Sequence, residues 1–311
     1  MKINQALDEF ELWKSYRSGS NTVKGYIQVL KQLCIFTHNK DLEQVSLQDV
    51  LNWFELHTLT GYDTNSLIPK AIALRKFFEF YKKRGFSVID PWLIPVPAKE
   101  YKIPRVATYD QYKAILEAIP HNNDPRHIRN RVIIMLLWDT GARNGEITGL
   151  NMHDLKDKEA LIKTEKNKGS RPFRQIFWED ETDKALKAWI ETRERLKQKI
   201  TFVDPEALFI SISASGKMQK SGQRLSIKGV GEMLRRYSNR AKIPYINAHA
   251  FRHSFGHRIV KSGMHTADVS NLMGHASAQS SMVYTNMFGL ELKERYDHFK
   301  KAEKVIHREP T

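Results

Sequence analysis

Cysteine is nearly missing from this chain: Cys34 is the single one in 311 residues. No intrachain disulfide can form and no cysteine-based metal cluster can assemble. Its neighbours Leu33, Ile35 and Phe36 mark it as a small buried hydrophobe, the usual role of a free thiol. Long apolar runs are missing too. None approaches the roughly 18 residues of a membrane span, although 41% of the residues are hydrophobic, enough for real cores. The N-terminus opens a polar amphipathic stretch and lacks the apolar core of a signal peptide. These absences argue against a disulfide scaffold, a thiolate metal centre and a membrane partner. They point to a cytoplasmic, nucleoid-associated chain.

Negative charge is scarce as well, with 35 Asp+Glu against 50 Lys+Arg and a net charge of +15. The excess is uneven. Residues 1–104 hold 14 Lys+Arg against 11 Asp+Glu, and residues 105–311 hold 36 against 24. Such a balance favours a polyanionic partner, because cationic side chains on phosphates release condensed counterions. Many soluble proteins are basic, so charge alone sets only a prior.

Apolar periodicity organises the chain as mainly α with a small β-sheet. Four helices are expected in the first hundred residues. They carry Ala6, Leu7, Phe10 and Trp13; Val23 to Cys34 behind an N-cap at Ser20-Asn21-Thr22; Val50 to Phe54 behind Ser46; and Leu67 to Tyr81, ending at Gly85. Together they make an N-terminal helical bundle over residues 1–95. Pro91, Pro95, Pro97 and Pro104 then mark an extended linker, 96–106. Residues 107–311 form a second, α+β domain. In it, Thr108 caps a helix, a buried helix runs from Ile128 to Thr140, and another starts around Asn144. Ala160–Ile162 and Phe173–Phe177 read as strands around a polar hairpin turn, and Leu208–Ile210 as a third strand. Long helices follow from Asp180 and Ser226, and the remainder is helical with breaks at Gly263, Gly274 and Gly289.

Several residues in this second half carry chemistry. Arg143 follows Thr140-Gly141-Ala142 at a helix junction, and Glu146 stands three residues on, placed to buttress a guanidinium. His249 and Arg252, also three apart, share a helix face. Two guanidiniums suit a phosphodiester, since Arg is always charged and its fork matches phosphate oxygens. His275 follows Gly274, and Tyr284 comes nine residues later. A phenol has a pKa near ~10 and needs nearby cations to act as a nucleophile at neutral pH. Lys166 sits in the hairpin turn, where an ammonium is a general-acid candidate; Lys168 competes for that assignment. Each residue alone has a plainer reading: a salt-bridged arginine, a helix-capping histidine, a core tyrosine, a solvated basic turn. His249, His253 and His257 imitate a zinc pair by their spacing, but no H-E-x-x-H pattern or cysteine set accompanies them.

Taken jointly and in order, Arg143, Lys166, His249-x-x-Arg252, Gly274-His275 and Tyr284 resemble the active-site pattern of the tyrosine recombinase family, the phage-integrase and Xer-like enzymes. The resemblance extends over the whole chain, with Thr22–Tyr26 and the first helices similar to the family's core-DNA-binding domain. Met273 before Gly-His and Asn247-Ala248 before His249 depart from the usual pattern without changing a reacting group. The resemblance implies Arg143 and Arg252 as phosphate clamp, Lys166 as general acid, His249 and His275 as assistants, Glu146 as support and Tyr284 as nucleophile. It implies a site-specific recombinase that cuts and rejoins duplex DNA through a 3′-phosphotyrosine and a Holliday junction. Integration, excision and resolution all fit. Further implications are a C-shaped clamp on DNA, a homo-tetramer on two duplexes, accessory or directionality proteins, and no cofactor, metal or ATP. The segment after Tyr284, with Leu290, Leu292, Tyr296 and Phe299, is expected to dock on a neighbouring protomer or else to pack in cis. Three other functions stay open on sequence alone: a type IB topoisomerase, a non-catalytic DNA binder of the same fold, and a metal hydrolase using the histidine-rich helix.

Overall fold

The computed structural model describes residues 1–164, 172–213 and 221–274. Two units separate at the proline-rich stretch, the first covering Met1–Lys102 and the second beginning at Ile103.

The first unit holds four helices, α1 (Ile3–Ser15), α2 (Ser20–Phe36), α3 (Leu47–Leu59) and α4 (Thr64–Lys82). Each buries one stripe at three-to-four spacing, for example Ile3, Ala6, Leu7 and Phe10 on α1 and Val23, Ile27, Leu30 and Leu33 on α2. Each of the larger side chains contributes about 1.5–3 kcal/mol when fully buried. The core is aromatic: Phe10 and Phe77 meet edge-on at 5.3 Å, and the Tyr81 hydroxyl donates to the Ala6 carbonyl at 2.7 Å. Ser46 and Asp49 close a reciprocal cap on α3. The cap of α2 differs from expectation, because Ser20 is already helical and Gly19 holds the N-cap position. Cys34 is only half-buried, and its Sγ lies 3.3 Å from Asn39 Oδ1, so a polar neighbour replaces the expected hydrophobic enclosure. Part of the proline strip belongs to this unit. Pro91–Leu93 forms a single 3-10 turn, Ile94 is fully buried, and its carbonyl accepts two bonds from the Arg75 guanidinium.

In the second unit the described elements run α5 (Tyr109–Glu117), α6 (Pro125–Thr140), α7 (Asn144–Gly149), β1 (Glu159–Lys163), β2 (Phe173–Phe177), α8 (Asp180–Lys197), α9 (Ile227–Arg240), α10 (Ala248–Lys261) and α11 (Thr266–Met273). Helix α6 is the centre of this unit. Asp124 caps it, Pro125 opens it, and every residue from Val132 to Trp138 is buried, with α8 and α10 packed against it. Strands β1 and β2 pair antiparallel, with Glu159 opposite Phe177 and Ile162 opposite Arg174. Alternation turns Ala160, Ile162, Arg174 and Ile176 inward. Leu208–Ile210 is fully buried but is not a strand; Ala207 and Ile210 make isolated bridges to Asn151 and Arg224 instead. A short apolar run cannot be distinguished from a strand by its pattern alone. No described helix is long and apolar enough to cross a membrane.

Candidate active site

Helix α6 ends at Gly141, which adopts the left-handed conformation at φ 56°. The space beside it is closed, since a Cβ there would lie 2.5 Å from Phe255 Cδ1 on α10. Only glycine satisfies both demands. Two residues later the extended backbone of Arg143 occupies the N-cap position of α7. An arginine side chain only donates, so the cap is supplied from the other direction: Glu146 Oε2 accepts the Arg143 N–H at 2.8 Å. The second oxygen of Glu146 takes Nη1 of the same arginine at 2.8 Å. Glu146 thus fixes both ends of Arg143, as its spacing suggests.

Helix α10 begins behind an Asn247 cap, whose side chain accepts the Ala250 N–H at 2.8 Å. It is anchored by Ser254, which bonds both the N–H and the carbonyl of Ala107. Arg252 is buried on this helix, with Nη1 2.8 Å from the Gly141 carbonyl. His249, one turn earlier, is exposed. His253 is half-buried; burial lowers its pKa, and the neighbouring His249 and Arg252 charges push the same way. Among the described residues no group of three or more His, Cys, Asp or Glu is disposed to hold a metal ion.

The end of α11 completes the arrangement. Gly274 closes the helix at φ 59°, leaving the final carbonyls without partners inside it. Three arginines take them. Arg174 donates to Leu272, Arg252 to Met273, and Arg143 to Gly274 at 3.4 Å. Guanidiniums from α7, β2 and α10 therefore converge on three consecutive oxygens immediately before His275. Carbonyls at a helix C-terminus carry partial negative charge, so Arg143 and Arg252 are already oriented for oxygen acceptors, and phosphate oxygens are stronger ones.

Arg174 was not among the residues picked out by spacing. Its Nη2 lies 2.8 Å from Glu146 Oε2, so the carboxylate bridges two guanidiniums. Burial by itself raises the Glu146 carboxyl. The Arg174 charge, the bonds from the Arg143 N–H and the Arg174 guanidinium, and the Arg143 charge outweigh it and hold the group below its ordinary value. The available signal was parity: Arg174 shares the inward face of β2 with Ile176. Lys166, Lys168, His275, Tyr284 and the segment from Leu290 to Phe299 lie outside the described residues.

Comparison with known proteins places the chain in a family. The phage integrase family model matches residues 105–289, and the phage integrase N-terminal SAM-like domain matches residues 7–85. A tyrosine recombinase XerC from Alcanivorax borkumensis is 27% identical over 90% of this chain and 88% of its own length. Another XerC, from Thermodesulfovibrio yellowstonii, is 27% identical over 95% of this chain and 94% of its own. Among solved structures, the XerH site-specific recombinase in a post-cleavage complex with its palindromic difH substrate shares the fold. It superposes with a TM-score of 0.68 at 20% identity, covering 93% of this chain and 82% of that one. With more than half of its residues matched by the family model, the chain belongs to the phage integrase family of tyrosine recombinases.

Proposed function

We propose that this chain is a site-specific DNA recombinase that joins two duplexes through a 3′-phosphotyrosine on Tyr284. As a tyrosine recombinase it is an enzyme of DNA cleavage and rejoining. The observation that carries the site assignment is the convergence of Arg143 and Arg252 on the adjacent carbonyls of Gly274 and Met273, the two residues before His275. A scissile phosphate entering there meets two fixed guanidiniums. Its non-bridging oxygens gain charge in the transition state, and preoriented donors stabilise that charge without reorganising.

The reaction balances without an added cofactor. The phenol of Tyr284 passes its proton to the imidazole of His249 or His275 as its oxygen bonds to phosphorus. The P–O5′ bond breaks, and Lys166 gives a proton to the leaving 5′ oxygen. His249 and His275 assist at the phosphate, and Glu146 supports Arg143. Because the phosphoester is kept as a phosphotyrosine, the 5′ hydroxyl of the partner strand can attack it and restore the diester. Four protomers on two duplexes would carry this through a Holliday junction. Residues 1–95 would grip the core site, 96–106 would link, and 107–311 would cleave and supply a C-terminal segment for docking between protomers. Duplex DNA of the cytoplasmic nucleoid is the proposed partner, with accessory or directionality proteins able to bias the outcome.

The test uses a duplex selected from a random-sequence pool by binding to the full chain, then nicked beside the cleavage point so that the released end diffuses away. Wild-type protein accumulates a covalent adduct in EDTA, and Tyr284→Phe binds the duplex but forms none. An adduct that persists in Tyr284→Phe removes the nucleophile assignment. Loss of the adduct in EDTA moves the chemistry to a metal.

A further inference from the structure

Glu146 poses an electrostatic problem. Its side chain is completely buried, and both its oxygens hold Arg143. A carboxylate this close to the clamp opposes the phosphate that the clamp is to bind, and a simple Glu146–Arg143 pair has no net charge to offer. Arg174 changes the sum. Its Nη2 lies 2.8 Å from Glu146 Oε2 and its side chain is 5% exposed, against 14% for Arg143. The two guanidiniums with one carboxylate leave a single positive charge, on the more exposed partner.

Arg174 is committed within the protein and more enclosed than Arg143. Nη1 donates to Leu272 and Nη2 to Glu146. Nε is buried with no hydrogen-bond partner among the described residues. Gly274 closes that side, since a Cβ on it would stand 2.6 Å from Arg174 Cδ and 3.1 Å from Nε. Each of its three nitrogens is thus engaged or buried, and the side chain is less exposed than that of Arg143.

We propose that Arg174 is a positioning residue of the cleavage reaction: it neutralises Glu146 from behind, so that the carboxylate fixes Arg143 without cancelling the charge Arg143 presents to the scissile phosphate. This rests on the recombinase reading and deepens it. A two-residue Glu146–Arg143 pair fixes geometry at the expense of charge, whereas the three-residue relay keeps both. Being on β2, Arg174 also ties that strand to the same carboxylate.

The experiment is single-turnover adduct formation on the nicked duplex by full-length wild type, Arg174→Met, Glu146→Gln and the double variant, all at saturating protein. Methionine keeps much of the buried volume without the charge. We expect Arg174→Met to slow cleavage about 10- to 100-fold, by analogy with the loss of residues that orient metal ligands. The double variant should be faster than Arg174→Met alone, because glutamine can still accept from Arg143 but carries no charge to cancel it. A purely structural role predicts no such recovery: the double would then be as slow as Arg174→Met or slower. That result, or wild-type cleavage by Arg174→Met, overturns the proposal. Should Arg174→Met fail to fold, Arg174→Lys serves in its place: it keeps the charge without the fork, and cleavage nearer to wild type than that of Arg174→Gln supports neutralisation, while equal loss in both overturns it. If wild type itself forms no adduct, the recombinase reading fails, and this outcome is distinct from every result on Arg174.

Discussion

Arg252 Nη1 lies 2.8 Å from the carbonyl oxygen of Gly141, so a buried guanidinium on α10 holds the turn from which Arg143 projects. The two arginines of the proposed clamp are therefore coupled through one glycine. Replacing it with alanine forces a side chain into the left-handed region, costing roughly 1–2 kcal/mol. It also sets a Cβ against Phe255 at 2.5 Å, and overpacking of this kind adds ~1–3 kcal/mol. Gly141→Ala should lower the urea midpoint and slow adduct formation, even though residue 141 touches no DNA in the proposed reaction. A variant as stable as wild type would show that the turn relaxes freely.

Glu146 supplies a pH dependence with a definite sign. Its carboxyl is held below the ordinary glutamate value by Arg174 and Arg143, against the opposing effect of burial. A depressed acid contributes stability that is complete above the unfolded pKa, near ~4.3, and is lost as pH falls through the folded value. Wild type should therefore lose stability on acidification below about pH 5 more steeply than Glu146→Gln, measured by urea midpoints across that window. Parallel curves for the two proteins would assign the acid sensitivity to another carboxylate.

The local features were the most legible ones. Caps at Ser46, Thr108 and Ser226 stand where a serine or threonine precedes an apolar stripe, and each side chain accepts the expected N–H. The ordered arginines and histidines were visible because phosphate chemistry restricts residue type. Arg174 was not, since its partner Glu146 is 28 residues away and its orientation follows from the register of β2 on β1. Phe173 and Phe177 point outward on the same strand, which hides the inward arginine in an apparently apolar segment. Leu208–Ile210 misled for a related reason: complete burial makes a strand-like run wherever the backbone goes.

Arg252 should tolerate lysine poorly. One guanidinium spans the carbonyls of Gly141 and Met273, whereas an ammonium is a point charge without a fork. By comparison with the removal of a single oxyanion donor, Arg252→Lys should slow cleavage about 100- to 1,000-fold. Duplex binding by gel shift should change little, because affinity is spread over many phosphate contacts. Equal losses in binding and cleavage would mean that Arg252 serves ground-state affinity.

The proton donor is the site residue with a rival two positions away. Lys166 and Lys168 both fall in the segment between β1 and β2, and either ammonium has the chemistry to protonate a leaving 5′ oxygen. A bridging 5′-phosphorothiolate separates them, because a thiolate leaves without needing a proton. Lys166→Ala should cleave ordinary DNA slowly, by about 100- to 10,000-fold for loss of a general acid, and regain most of its rate on the sulfur substrate. Lys168→Ala should be slowed modestly and equally on both substrates, as expected for a phosphate contact. The reverse pattern moves the general acid to Lys168. Rescue of neither variant takes proton transfer away from this segment and leaves His249 or His275 as the donor to test next.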